Sequence, residues 1–457
     1  MDNKARNIIE NLLDEHSFVE FGKLITAKNT DFNGKEPKKE SDGVITGHGL
    51  INDRLVFVYS QDVSVLGGSI GEMHAKKISD LYKMALKVGA PVIGFINSNG
   101  VRLYESMDAI EAIGGIIKQA SVASGVIPQV LGVVGNCGGC LSVLASMNDY
   151  VVMLDDAKMF INSPDTIEGN FVAKVDTSSA EYQFDNGNVD VIATEDSMPV
   201  IIRNYIDIVP NNNTESNFDD ISDDDFNRAI SYNGIDNVQE VIEEIADDNI
   251  FVEVKCGITN VVCGFIKLGG QTIGVAANSE TDGKSYLNLE GTTKLTDFVN
   301  YCDAFSIPIL TITSIDGFES DFNTEISMGN ALSKLAFAFT SATVPKINLI
   351  VGKVLGSGYI FMNSKSLGAD MVFAYPDAKM AIMDENKAAK ILCNEGDDIN
   401  ELAKTYENTN TGVENGAKRG YIDRIIEPVD TRKYLIDGFE ILYSKNSYYD
   451  IKKHNAK

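Results

Sequence analysis

Hydrophobic and polar residues alternate along the first half of the chain in patterns that predict short strands and amphipathic helices. Apolar residues recur at helical spacing over residues 5–15 and 71–89, which predicts a helix in each place. The apolar runs 44–50 and 55–60 flank Asn52-Asp53, a pattern that predicts two paired strands joined by a turn. Strand, glycine-containing turn and helix then alternate, which indicates a layered α/β unit.

The same pattern occurs twice in the chain. Three landmark pairs are each 217 residues apart: Pro91 and Pro308, Pro128 and Pro345, and Gly139 and Gly356. An entry helix and a strand predicted over 18–25 recur from residue 241 at an offset of 233, so the first half carries a longer insertion. A repeat of this length predicts two duplicated domains, 1–232 and 233–457.

A polar and acidic stretch separates the two halves. Residues 211–225 contain few apolar side chains and two runs of aspartate, which predicts an exposed connector. The second half restarts with its entry helix near Asn237, and apolar residues after Lys433 predict a terminal helix before a polar end.

Composition narrows the class of protein. Hydrophobic residues make up 44% of the chain, enough for substantial cores, yet no apolar run reaches the roughly 18 residues of a membrane span. The residues after Met1 do not resemble a secretory signal, and we therefore expect a cytoplasmic protein. A net charge of −27 argues against nucleic acid as a partner. Six cysteines and four histidines show no metal-ligand spacing, so no metal site is predicted and reduced thiols are expected.

Three glycine-rich turns follow apolar strands: Gly67-Gly68-Ser69, residues 135–140 and residues 352–358. Glycine permits a positive φ, and it also lets a ligand approach main-chain N–H groups. Where such a turn opens a helix, the unbonded amides favour a negative oxygen, as in an oxyanion hole. Tight strand-to-helix packing is the alternative explanation for each turn. A fourth pair, Gly114-Gly115, lies within a helical pattern and predicts a bend or close packing.

Longer motifs point to a family. Residues 41–49 and 60–78 closely resemble the carboxyltransferase subunits of biotin-dependent acyl-CoA carboxylases and decarboxylases, of the propionyl-CoA carboxylase beta and methylmalonyl-CoA decarboxylase alpha type. Further similar segments lie at 86–91, 124–128, 298–308, 342–346 and 419–423, so the resemblance spans nearly the whole chain. It implies two crotonase-like domains, each a ββα superhelix, and a homo-oligomer built as a dimer of trimers.

The resemblance also implies functional positions. Backbone amides of Gly139 and Cys140 are expected to form one oxyanion hole, and those of Ser357 and Gly358 the other. The acyl-CoA is expected in the N-terminal domain, and biotin in the C-terminal domain of a neighbouring protomer. The remaining binding positions that the resemblance implies are Gly67, Gly68, Gly317, Phe318, Gly356, Tyr359 and Ile360.

The implied reaction moves a carboxyl group between biotin on a separate carrier protein and a short acyl-CoA such as propionyl- or methylmalonyl-CoA. Expected partners are the carrier and either a biotin carboxylase or a membrane decarboxylase subunit. Cys140 and Ser357 depart from the family's usual residues in the two holes. Two alternatives therefore stay open: a catalytically degraded scaffold subunit, and a biotin-independent crotonase-type acyl-CoA enzyme.

Overall fold

The computed structural model describes residues 3–32, 39–215, 222–232, 234, 237–280, 283–395 and 397–445. The chain forms two compact units. The first comprises Met1–Glu215 with Val254–Gly257, and the second comprises Ser216–Glu253 and Ile258–Lys457. The domain boundary at residues 232 and 233, and the roles given to the two domains, stay predictions.

The first unit is built on a seven-stranded sheet of order β1-β2-β3-β4-β5-β7-β9, with a small sheet of β6 and β8 beside it. The pairs β1–β2 and β2–β3 are antiparallel, and the other neighbours are parallel. The strands are β1 Val19–Phe21, β2 Val44–Ile51, β3 Arg54–Gln61, β4 Val92–Ile96, β5 Gln129–Val133, β6 Asn136–Gly138, β7 Tyr150–Leu154, β8 Lys158–Phe160 and β9 Val191–Ala193.

Seven helices belong to the described part of the first unit: α1 Lys4–Leu12, α2 Glu72–Val88, α3 Ser106–Ala123, α4 Cys140–Ser146, α5 Asn170–Ala173, α6 Ala180–Asp185 and α7 Met198–Ile208. The predicted hairpin around Asn52-Asp53 and the predicted helix over 71–89 are confirmed. The first predicted helix is three residues too long, because Leu13 is extended. The strand predicted over 18–25 ends at Phe21, since Gly22 turns the chain with φ of 65°.

The second unit repeats this architecture. Its main sheet has the order β10-β11-β12-β14-β16-β17-β19, with β18 paired to β16, and β13 pairs with β15. The strands are β10 Phe251–Val254, β11 Val261–Leu268, β12 Gln271–Asn278, β13 Tyr286–Leu287, β14 Ile309–Ile315, β15 Gly317–Phe318, β16 Lys346–Leu355, β17 Met371–Ala374, β18 Lys379–Ala381 and β19 Arg424–Ile425. The helices are α8 Val238–Ile245, α9 Leu289–Ala304, α10 Phe322–Ser341, α11 Gly358–Phe361, α12 Glu385–Leu392, α13 Ile399–Tyr406, α14 Val413–Lys418 and α15 Thr431–Leu442.

Packing confirms the duplication residue by residue. A Cβ at Gly47 would lie 2.3 Å from the Val19 carbonyl oxygen, and a Cβ at Gly264 would lie 2.3 Å from that of Val252. In this repeated contact the two glycines are 217 residues apart and the two valines are 233 residues apart, which are the two offsets found in the sequence. Three pairs of aspartates also recur, and the two members of each pair accept backbone N–H groups at matched positions: Asp14 and Asp247, Asp149 and Asp370, and Asp190 and Asp423.

The described end of the predicted connector is packed rather than simply exposed. Asp224 pairs with Arg228 at 3.0 Å and with the buried Arg432 at 3.3 Å. Ile230 is 3% exposed and belongs to the core of the second unit. Burial of Ile230 and the two ion pairs give this stretch a fixed course that its composition did not indicate, while residues 216–221 lie outside the described residues.

Helix α3 carries the Gly114-Gly115 pair. A Cβ added at Gly114 would meet no described atom within 4 Å, and one at Gly115 would lie 3.7 Å from Ser79 Oγ, an ordinary contact. Close packing is therefore the wrong explanation for Gly114. Across the described ranges, no helix combines the length and the apolar character needed to cross a bilayer.

Candidate active site

The glycine-rich turn at residues 135–140 links β6 to α4 and is the first of the two matched turns. Gly139 has φ of 61° and ψ of −126°, a conformation that favours glycine, and its N–H donates to the Phe160 carbonyl at 2.8 Å. That bond closes the small β6–β8 sheet and occupies the Gly139 amide. The unbonded amides of this turn therefore begin at Cys140.

Helix α4 starts at Cys140, and the amides of a helix's first turn lack intrahelical acceptors. The Ser142 N–H returns to the Gly139 carbonyl at 3.1 Å. The amides of Cys140 and Leu141 donate to no backbone carbonyl among the described residues. The Cys140 side chain is exposed, so its sulfur is not buried over these donors.

The second turn repeats the first. Gly356 has φ of 59°, and its N–H donates to the Ala381 carbonyl at 2.9 Å, the counterpart of the bond from Gly139 to Phe160. Ser357 is exposed and precedes helix α11, which starts at Gly358. The predicted donors Ser357 and Gly358 thus lie at the start of a helix, as Cys140 does in the first unit.

A side chain at Gly358 would have little space. A Cβ there would approach Ile315 Cδ1 to 3.0 Å and Gly317 Cα to 3.3 Å. Gly317 and Phe318 form β15, paired with β13, and the Phe318 ring packs edge-on to Phe361 of α11 at 5.9 Å. The predicted positions Gly317 and Phe318 therefore support the second turn from behind.

A cavity of about 600 Å³ opens beside the second turn. Four predicted positions line it: Gly356, Ser357, Tyr359 and Ile360. The facing wall includes Tyr406, Arg419 and Tyr421, which contribute ring faces and a cation. All seven second-unit predictions thus lie on this turn or directly behind it.

Gly67 and Gly68 serve packing in the first instance. Both have positive φ, 65° and 64°. A Cβ on Gly67 would come 2.3 Å from Asn99 Nδ2, and a Cβ on Gly68 would come 2.4 Å from the Asn97 carbonyl oxygen. Tight packing thus accounts for both glycines, and their role in ligand binding stays a prediction.

A buried ionic cluster that was not predicted from the sequence lies behind this turn. Arg102 is 2% exposed, lies 2.8 Å from both Asp42 and Glu105, and donates to the Ser69 carbonyl at 2.8 Å. Glu105 also accepts the Glu72 N–H at 2.6 Å, at the start of α2. Asp42 and Glu72 fall in the segments that resemble the family, but their charges alone did not predict which residues they pair with.

His74 completes that cluster as a neutral imidazole. Burial, and then the positive charge of Arg102, lower the pKa of His74 to about 3. Its Nδ1 lies 3.0 Å from the Asp42 carbonyl oxygen, and its Nε2 lies 3.2 Å from Gln61 Nε2. This histidine holds the loop in place and carries no positive charge near neutral pH.

The cysteines show no pairing. All six are free, and burial raises the pKa of Cys137 to about 12, which leaves its thiol protonated. Among the described residues, no group of three or more His, Cys, Asp or Glu side chains is arranged to hold a metal ion.

Comparison with known proteins identifies the family of this chain. The model of the carboxyl transferase domain family matches residues 3–456. The chain belongs to the carboxyl transferase family. The carboxyltransferase resemblance drawn from the motifs is therefore confirmed, and so is the enzyme class.

Curated relatives cover almost the full chain. The propionyl-CoA carboxylase beta chain of Roseobacter denitrificans is 35% identical over 99% of this chain and 92% of its own length. The methylmalonyl-CoA decarboxylase subunit alpha of Propionigenium modestum is 33% identical, with 98% and 92% covered. The methylmalonyl-CoA carboxyltransferase 12S subunit of Propionibacterium freudenreichii is 32% identical, with 98% and 90% covered.

A solved structure shares the fold. The transcarboxylase 12S hexamer with hydrolysed methylmalonyl-CoA bound has a TM-score of 0.92 and 32% identity, covering 99% of this carboxyl transferase and 92% of the other chain. The predicted class, two duplicated crotonase-like α/β domains, is confirmed by this match and by the repeated sheet order.

Proposed function

We propose that this carboxyl transferase moves a carboxyl group between biotin and a short acyl-CoA, with propionyl- and methylmalonyl-CoA as the substrate pair. The names of its relatives support this pair, since they are propionyl-CoA carboxylase and methylmalonyl-CoA decarboxylase subunits. The 12S structure that it resembles holds a methylmalonyl-CoA derivative.

In the first unit, the start of α4 stabilises the acyl-CoA when its charge develops. Carboxyl transfer at the carbon next to a thioester leaves an enolate, with negative charge on the thioester oxygen. The Cys140 amide, the first unbonded donor after Gly139, is the group for that oxygen, and the helix dipole adds to its effect. Because a main-chain N–H donates, a cysteine serves here as well as a glycine.

In the second unit, the start of α11 and the adjoining cavity are proposed to hold the biotin head group. The amides of Ser357 and Gly358 are the donors for its ureido oxygen, and the cavity of about 600 Å³ has space for the bicyclic ring. Biotin, when bound, supplies or accepts the carboxyl group. A Cβ at Gly358 would require Ile315 or Gly317 to shift by a few tenths of an ångström.

The proposal includes partners beyond the chain itself. Biotin is attached to a separate carrier protein, and a biotin carboxylase or a membrane decarboxylase subunit works with it. A homo-oligomer built as a dimer of trimers is supported by the hexamer of the 12S relative. Free cysteines throughout support a cytoplasmic location.

One observation carries the chemical part of the proposal: two helix starts follow turns that are locked by the same bond, Gly139 to Phe160 and Gly356 to Ala381. The test supplies purified protein with free biotin and methylmalonyl-CoA and follows propionyl-CoA by mass spectrometry. Biotin-dependent formation of propionyl-CoA is expected. Folded, assembled protein that transfers no carboxyl group from malonyl- or methylmalonyl-CoA would contradict the proposal. Hydration of crotonyl-CoA in a parallel reaction would favour the crotonase-type alternative.

A further inference from the structure

In the second unit, a tyrosine from the segment before α8 fills a recess between that helix and the sheet. The Tyr232 hydroxyl donates to the Val351 carbonyl at 3.0 Å, and its ring meets Tyr375 edge-on at 4.8 Å. The N–H of the preceding residue, Ser231, donates to the carboxylate of Glu244 on α8. The recess therefore recognises a phenol ring, its hydroxyl and the amide before it.

The internal repeat assigns counterparts to these three contacts in the first unit. Both main sheets have the same strand order, and the β5–β7 register, Val130 with Tyr150, matches the β16–β17 register, Ile347 with Met371. The three contact residues Val351, Tyr375 and Glu244 therefore correspond to Val134, Leu154 and Asn11.

These three counterparts line one cavity of about 380 Å³ in the first unit. Its walls are mostly apolar and well buried: Phe95, Val134, Leu154 and Met198 are each at most 8% exposed. A dry apolar cavity of roughly 150 Å³ already holds benzene, so this one has space for a phenol ring and part of a backbone. Lys4 and Glu195, which form an ion pair, also line it.

We propose that this first-unit cavity is a docking site for a tyrosine side chain on an extended peptide segment. The tyrosine hydroxyl donates to the Val134 carbonyl, the ring lies against Leu154, and the preceding N–H donates to the Asn11 side chain. The partner is thus a polypeptide in which the residue before a tyrosine has a backbone N–H available to donate to the site. Residues 228–232 present the same groups to the recess of the second unit. The proposal is independent of the carboxyl-transfer chemistry, because none of its residues belongs to the glycine turns.

The test uses the full-length protein and a labelled, end-blocked peptide with the sequence of residues 228–232, Arg-Ala-Ile-Ser-Tyr. Fluorescence anisotropy should show saturable binding. Replacing the peptide's tyrosine by phenylalanine should weaken binding about fivefold, as loss of one hydrogen bond predicts. Equal affinity for both peptides, or no binding at millimolar peptide, would refute the proposal. Binding of p-cresol without binding of the peptide would also refute it.

Two variants on α1 give the experiment its controls. Asn11→Trp should block the cavity and abolish binding, whereas Glu10→Trp, a neighbouring exposed position that does not line the cavity, should leave it unchanged. Asn11→Glu installs the acceptor that Glu244 provides in the second unit and should tighten binding severalfold. An unchanged affinity in Asn11→Glu would overturn the matched contact, and this variant needs no loss of folding to be informative.

Discussion

Replacing Cys140 by proline removes one N–H donor from the first helix start and little else. Cys140 is the first residue of α4, where an amide has no intrahelical acceptor and proline is well tolerated. Gly139 before it has φ and ψ of 61° and −126°, the mirror image of the extended conformation that proline favours in its predecessor. We therefore expect the fold to survive the substitution.

The expected loss of activity follows from the role of that amide. Removing one oxyanion-hole donor typically lowers kcat by about 10²–10³-fold, or roughly 3–4 kcal/mol of transition-state stabilisation. KM for methylmalonyl-CoA should change little, because the charge on the thioester oxygen develops only in the transition state. Ser357→Pro is the matched change in the second unit, at a φ of −73° that proline accepts, and should give a loss of similar size.

The assay is biotin-dependent conversion of methylmalonyl-CoA to propionyl-CoA, with circular dichroism and size-exclusion chromatography to verify fold and assembly. Cys140→Ala and Cys140→Gly keep the N–H and should stay within about threefold of the unmodified enzyme. The reasoning is refuted if Cys140→Pro is folded and retains full activity, or if Cys140→Ala loses as much as the proline variant. A large gain in Cys140→Gly would instead favour the degraded-scaffold alternative.

Four substitutions test the packing. Burial raises the pKa of Asp149 from 3.8 to about 7, so the folded state holds a proton that the unfolded chain releases above pH 4. The stability that this proton contributes is fully present below pH 4 and is lost as the pH rises to about 7, a loss of up to roughly 4 kcal/mol. Asp149→Asn should therefore flatten the pH dependence of the free energy of unfolding, measured with urea, over that interval. Gly47→Ala should destabilise by about 3 kcal/mol in the same assay, because its Cβ would lie 2.3 Å from a carbonyl oxygen, whereas Gly114→Ala, in open space on a helix, should stabilise by about 0.5–1 kcal/mol. Tyr232→Phe should cost about 1 kcal/mol through its lost hydrogen bond, and an unchanged midpoint would show that the bond contributes nothing.

The duplication could be predicted because the repeat preserved landmarks that the backbone requires. Pro91 and Pro308 precede matched parallel strands, and Gly139 and Gly356 both need a positive φ. Such constraints act locally, so they remain visible in the sequence. Helix α2 was located correctly for the same reason, since Gly89 ends it in the left-handed conformation.

The remaining features depended on contacts between residues far apart in the chain. Nothing local shows that Arg102 bonds Asp42, 60 residues away, or that Tyr232 reaches the carbonyl of Val351. The predicted pair of donors at Gly139 and Cys140 illustrates the limit well. The prediction placed a donor at Gly139, but its N–H donates to the carbonyl of Phe160, a residue of another strand.

Some matched positions of the two halves keep the backbone arrangement while the side chain differs. Asp190 and Asp423 accept matched N–H groups at 2.7 and 2.8 Å, and loss of either carboxylate would leave a backbone donor without this partner. Cys140 and Ser357 occupy equivalent helix starts, yet both side chains are exposed and differ from the family's usual residues. Because a main-chain amide donates whatever side chain its residue carries, the proposed chemistry depends on the conformation at these two positions and tolerates different side chains. The counterparts of the Tyr232 contacts also differ between the units: Val134 matches Val351, whereas Leu154 stands where the second unit has Tyr375, and both line an open cavity in the first unit.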